Sequence, residues 1–336
     1  MNNSDTAAEA EAPKHFTRTS SVHRRRTLYL VRHGQALHNV KEAEAQEAAR
    51  QMALQQQPSC TPDEIAQQME DARKAVLQDA TLFDAPLTEL GRQQAKQAGE
   101  YLAELIDRGV APPPTEAMVS PLSRCLETAD ILLQQHLQHE FDIPDDDEDP
   151  SERLDINNEA TKDNDNSTTE ESPRRSQRRS TLLVHIRPEI QERQTQYPPD
   201  TPQTPDQLYH WTQQQQQEQQ EPQQQEQQLD NNTDSSSSSS NNYRFHHHGK
   251  ALTGHALQVE ESRTQLRERA SKLFDVLMEM SHRHVLIISH KGYLREMERG
   301  LLGLTDSPLF DNAEVRVYHV VFTRGDRSLE SVERLA

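Results

Sequence analysis

Apolar positions along this chain follow two rhythms, separated by long stretches that follow neither. The run Leu28-Tyr29-Leu30-Val31 is continuous and stops at Arg32-His33-Gly34. A short apolar run bounded by polar residues and glycine predicts a buried strand. The same form recurs at 116–120 and 284–289, and residues 314–322 alternate as a last strand would. The other rhythm is helical. Leu87, Ala95, Ala98, Leu102 and Leu105 share one face, with Thr88 as N-cap and Pro112-Pro113-Pro114 as the stop. A helix after strand 116–120 is predicted to open at Ser120 as N-cap with Pro121 as its first residue. Val259, Leu266, Ala270, Leu273, Leu277 and Met280 step by seven, four, three, four and three, the spacing of one long helix. Another helix is expected from Tyr293, and residues 42–79 read as helical with a break at Pro58 and Pro62. Strands alternating with helices predict an α/β layer fold around a largely parallel sheet.

The remaining stretches carry no period. Residues 1–24 read as a disordered tail, with order expected near Thr27. Residues 25–336 then form one domain, interrupted by disordered insertions near 138–180 and 203–250, with a readable island at 181–202 between them. Composition agrees. Only 32% of the 336 residues are hydrophobic and 4% aromatic, too few for a core running the whole length. The net charge of −19 is concentrated: Glu140 to Glu171 holds fourteen acidic residues against Arg153 and Lys162. That balance argues against nonspecific nucleic-acid binding. The polar N-terminus has no apolar run suited to a signal peptide or membrane span, so no membrane partner is expected. Cys60 and Cys125 are far apart and lack metal spacing, which fits a reducing compartment. A cytoplasmic or nuclear location is expected, the run "RRSQRR" being the candidate nuclear signal. The histidines of "FHHHGK", 245–250, have no second ligand set and are read as composition rather than a metal site.

Candidate chemistry gathers at three strand ends. One ends in Arg32-His33-Gly34, one runs into a helix carrying Arg124, and one ends in His290-Lys291-Gly292. In open α/β sheets, ligands bind just beyond the carboxyl ends of strands. Two guanidinium groups offer planar donor forks that match phosphate oxygens. Neighbouring cations disfavour imidazolium and keep an imidazole nucleophilic near neutral pH. The combination suits phosphoryl transfer through a phosphohistidine.

These residues resemble the histidine phosphatase superfamily, its phosphoglycerate mutase-like branch. The matching pieces occur in order: Arg32-His33-Gly34 with Asn39 five residues on, "PLTELG", Ser120–Ala129 as "SPLSRCLETA", Glu261-Ser262 with Arg269, and Ser289–Arg295. The form "RHGQALHNV" most resembles broad-specificity members from fungi, plants and protists. The resemblance implies a three-layer α/β/α sandwich with a mainly parallel central sheet. It implies His33 as nucleophile, Arg32, Arg124 and His290 as phosphoryl ligands, Asn39 lining the pocket, and Gly34 allowing close approach of backbone to phosphate. Lys291 departs from the glycine often found there. A proton donor is implied in the loop after the third strand, where "EIQE" offers Glu192, with Glu189 as the alternative. The expected activity is hydrolysis of a small phosphorylated metabolite without metal or other cofactor. Mutase activity and a non-catalytic scaffold are the alternatives. The mutase reading is disfavoured because "QERQTQ" keeps the Glu-Arg of mutases but lacks their Tyr-Gly. The partners of the insertions are not readable from the sequence.

Overall fold

A computed structural model describes residues 23–55, 60–136, 181–218, 243–247, 260–323 and 327–336. Its strands are β1 (His23–Arg32), β2 (Glu116–Val119), β3 (Leu182–Ile186), β4 (Tyr243–His247), β5 (His284–Ser289), β6 (Val315–Thr323) and β7 (Ser328–Arg334). They form one seven-stranded sheet in the order β4-β3-β2-β5-β1-β6-β7. The strands from β4 to β1 pair in parallel, while β6 and β7 add an antiparallel edge.

The helices are α1 (Leu37–Gln55), α2 (Pro62–Leu77), α3 (Glu89–Asp107), α4 (Ser123–His136), α5 (Pro205–Glu218), α6 (Arg263–Ser271), α7 (Leu273–Glu279) and α8 (Lys291–Gly300). Alternation along the central strands sends side chains to two faces. Tyr29, Val31, Ala117, Val119, Leu286 and Ile288 pack under α3, α4 and Leu208 of α5. Leu28, Leu30, Met118, Val285 and Ile287 pack under α6, α7 and α8. Burial on both faces is why these strands are continuous apolar runs. The result is the three-layer α/β/α sandwich expected from the sequence.

Several boundaries differ from expectation. Strand β1 runs from His23 rather than from near Thr27, since Arg26 donates to the carbonyls of Leu277 and Met280 at the end of α7, and β1 pairs with β6 from its first residue. The chain expected as one helix over 259–280 is two, α6 and α7, meeting at Lys272. Strand β7 was not anticipated. The insertion expected over 203–250 holds structure at both ends. Leu208 and Thr212 of α5 are buried, and Tyr243 and Phe245 of β4 enter the core beside Trp211. Residues 1–22 of the expected tail, the whole expected insertion at 138–180 with "RRSQRR", residues 219–242 and the end of "FHHHGK" at 248–250 lie outside the described residues. No helix among the described residues is long and apolar enough to cross a membrane.

Candidate active site

Register brings the strand ends together. Arg32 lies opposite Ser289 in the β1–β5 pair, so the next residues, His33 and His290, leave the sheet side by side. The His33 N–H continues the ladder to the Ser289 carbonyl (3.0 Å), and the rings sit 5.0 Å apart at 62°. Strand β2 delivers the third end. The Ser120 N–H donates to the Ile288 carbonyl (3.1 Å), and α4 then carries Arg124, which is almost wholly buried. This helix starts at Ser123 rather than Pro121, because Asp84 from a distant loop accepts from the Ser123 N–H and hydroxyl. Ser120, expected as the N-cap, instead places its hydroxyl 2.7 Å from His290 Nε2.

The loop after β1 is clamped by the two middle motifs. Thr88 caps α3 through the Gly91 N–H, and its own N–H donates to the Gln35 carbonyl. A Cβ at Gly34 would stand 2.3 Å from the Gly91 carbonyl oxygen, and one at Gly91 would stand 2.1 Å from that of Gln35. Two glycines are therefore needed for two backbones to touch. The space left at Gly34 is filled by Gly91, so this contact accounts for the glycine, not only the approach of backbone to phosphate expected from the sequence. Thr128 completes the clamp: its hydroxyl accepts from the Gly34 N–H (3.1 Å) and donates to the Arg124 carbonyl (2.7 Å).

His33 Nδ1 is 2.7 Å from the Gly34 carbonyl oxygen. A carbonyl only accepts, so Nδ1 carries the proton and Nε2 keeps its lone pair. Burial, followed by the charges of Arg124 and Arg32, holds the His33 pKa well below the ordinary imidazole value. His290 is held low by burial and then by Arg124. The Arg32 guanidinium donates to the Phe310 carbonyl (2.8 Å). Arg124 donates through Nη1 to the Pro199 carbonyl (2.6 Å) and through Nη2 to Asp200 Oδ1 (3.1 Å). The Nε of each arginine is buried without a partner. Two cations and two imidazoles with lowered pKa values, held by backbone carbonyls, the Ser120 hydroxyl and Asp200, suit a tetrahedral oxyanion.

Glu192 comes from the loop after β3. Its carboxylate accepts from the Arg193 N–H (2.8 Å) and the Gly292 N–H (3.3 Å) in the first turn of α8. A Cβ at Gly292 would fall 2.3 Å from Glu192 Oε1, so this glycine is what makes room for the carboxylate. Burial, then Asp200, raises its pKa above the ordinary carboxylate value. Glu189 differs: its side chain is 48% exposed and pairs with Arg187. The loop is tied down by Arg269, which donates to the carbonyls of Glu189, Gln191 and Glu192. Glu261 in turn pairs with Arg269 and accepts from the Gln194 N–H. That gives the Glu261…Arg269 motif a physical role which the sequence alone did not.

Sequence reasoning missed Asp200 and His38. Asp200 opens the run "DTP" that follows "EIQE" in the motif reading, but no role was read for it. His38 stood next to Asn39 inside the opening motif and was passed over. Asn39 Oδ1 accepts from the Ala36 N–H (3.1 Å), and its amide nitrogen lies 2.9 Å from His38 Nε2. No three metal-ligating side chains converge among the described residues.

The fold and site define an α/β sandwich whose parallel strand ends gather imidazoles and guanidinium groups, an arrangement suited to holding an oxyanion. The family model of the histidine phosphatase superfamily (branch 1) matches residues 64–147. The match bears out the resemblance read from the motifs and supports an enzyme of phosphatase or mutase type. It takes in "PLTELG" and "SPLSRCLETA", with the Arg-His-Gly and Ser-His-Lys-Gly ends outside it. Among solved structures, the chain is similar to a mycobacterial glucosyl-3-phosphoglycerate phosphatase, at 16% identity over 92% of this chain and 97% of that one, with a TM-score of 0.40. It is similar to an ecdysone phosphate phosphatase from Bombix mori at 16% identity, covering 91% and 92%, with a TM-score of 0.41. It is also similar to a phosphoserine phosphatase from Entamoeba histolytica at 14% identity, covering 91% and 96%, with a TM-score of 0.35. No curated protein matches the sequence.

Proposed function

We propose that this protein hydrolyses phosphomonoesters of small metabolites through a covalent phosphohistidine on His33. The observation that carries the reading is the His33 Nδ1 to Gly34 carbonyl contact, which leaves Nε2 unprotonated among Arg32, Arg124 and His290. Nε2 attacks phosphorus while the bond from phosphorus to the leaving oxygen breaks. Glu192, whose pKa burial and Asp200 raise, gives a proton to that oxygen. Arg32, Arg124 and His290 stabilise charge on the equatorial oxygens. A water then loses a proton to the Glu192 carboxylate and attacks phosphorus. The P–N bond breaks, its electron pair returns to Nε2, and phosphate leaves. These side chains supply the charge stabilisation, so no metal enters a step.

The test is a quenched single turnover with an aryl phosphate. An acid-labile, base-stable phosphoenzyme is expected in the wild type and absent from His33→Ala. An acid-stable adduct, or one that survives the substitution, would overturn the reading. Following phosphoglycerates for isomerisation against release of free phosphate separates hydrolase from mutase.

A further inference from the structure

His38 is buried in the first turn of α1, at 6% exposure, with its ring centroid 6.4 Å from that of His33. Its hydrogen bonding can be worked out atom by atom. The Ala36 backbone N–H can only donate, so the Asn39 atom that meets it must be Oδ1. The other side of that amide is therefore Nδ2, a donor, and it faces His38 Nε2 at 2.9 Å. Nε2 must accept, so in the neutral ring the proton sits on Nδ1. Nδ1 is buried and has no partner. A buried N–H left unpaired is costly and calls for an explanation, a bound ligand being one. Its surroundings say which kind. Burial, then the charges of Arg124, Arg32 and Arg73, takes the ring's pKa down to about 2, and the carboxylate near the ring, Glu42, stands 4.0 Å from Nε2 and so on the other nitrogen. The ring therefore stays neutral across the working pH range, and its free edge offers a donor in a positive field.

We propose that His38 Nδ1–H is a hydrogen-bond donor to a non-bridging oxygen of the bound phosphoryl group, and that Asn39 sets the tautomer that makes it one. The contribution to turnover rests on the phosphohistidine reading above. The contribution to oxyanion binding does not. Asn39 then acts through His38 as a positioning residue, its carbonyl oxygen on the loop and one N–H on the ring.

Two substitutions separate a donor from a filler of space. In His38→Asn the side-chain amide takes the place of Nδ1 and keeps a donor there. In His38→Gln the amide moves out toward the position of Nε2 and the donor is lost. Titration of the full chain with inorganic phosphate is expected to show a loss of about 10- to 100-fold for His38→Gln, as for a hydrogen bond to a charged group. His38→Asn is expected to stay within about fivefold of the wild type. Should a variant fail to fold, nitrogen-15 spectra of the wild type still decide. The His38 Nδ1–H tautomer is expected, with a resonance that moves on adding phosphate. An Nε2–H tautomer, an unmoved resonance, or equal phosphate affinity in both variants would overturn the proposal. A missing phosphoenzyme with phosphate binding still dependent on His38 would sink the phosphohistidine reading alone.

Discussion

His33 and Glu192 are anchored in opposite ways. His33 leaves a central strand, its backbone in register with β5 and its following loop clamped by Gly91 and Thr128. Glu192 leaves a loop with no ladder to hold it, and its place depends on the side chains of Arg269 and Glu261 and on the gap at Gly292. Strand ends fix position through many backbone bonds made cooperatively, so no single side chain carries them. A loop tied by one ion pair concentrates the same job in a few atoms. Damage to the first region should remove chemistry and leave geometry. Damage to the second should move geometry and so weaken one step.

The sharpest test of that contrast is His33→Ala. Turnover should fall by at least on the order of 10⁴-fold for every leaving group, with the melting profile close to wild type. Recovery on activated esters would break the assignment. Next is Glu192→Gln, expected to lose roughly 10²–10⁴-fold on alkyl phosphates and far less on nitrophenyl phosphate, which needs no proton. Glu189→Gln should change neither. If the two glutamates exchange behaviour, the acid is Glu189.

Arg269→Met tests the tie itself. Removing one partner leaves Glu261 buried and uncompensated, at a cost of about 3–5 kcal/mol of stability. Activity on poor leaving groups should fall roughly 10- to 100-fold, repeating in milder form the leaving-group dependence of Glu192→Gln. A uniform loss on all substrates would mean that the loop does not act through the acid.

A pair of deletions contrasts structured and low-complexity chain. Removing residues 212–248 takes away Tyr243 and Phe245, each buried aromatic being worth roughly 3–5 kcal/mol. Joining Glu218 to Tyr243 removes only a polar run and should leave a cooperative melt, since loop length costs about 0.6 kcal/mol per doubling. Equal damage from both would show that the polar run contributes to stability.

Asp200→Asn should have the smallest effect. Glu192 must be protonated to donate, so the rate on poor leaving groups falls as pH rises through its raised pKa. Removing the neighbouring charge lowers that pKa, and the alkaline limb should move to lower pH. A limb that stays in place would separate the two carboxylates.

What the sequence disclosed follows the same division. The ends of β1, β2 and β5 and the helix behind Thr88 are local signals: an apolar run, a glycine, a cap. They were legible, and the structure brings Arg32, His33, Arg124 and His290 to one place. The start of α4 was misplaced because its cap comes from Asp84, and Ser120 was misread because its partner His290 is 170 residues away. Strand β4 hid in a histidine run, since only pairing with β3 makes it a strand.

Arg124 has a further consequence, this time for turnover. Its two terminal nitrogens are engaged by the Pro199 carbonyl and by Asp200. Its remaining N–H groups, Nε among them, stay free for a phosphoryl group, which on the proposed reading shares the guanidinium with a resident carboxylate whose negative charge opposes it. Sharing of this kind lowers affinity for substrate and product together, which matters most where product would otherwise linger. Inorganic phosphate should accordingly inhibit Asp200→Asn more tightly than the wild type, and the variant's progress curves should bend sooner as phosphate accumulates.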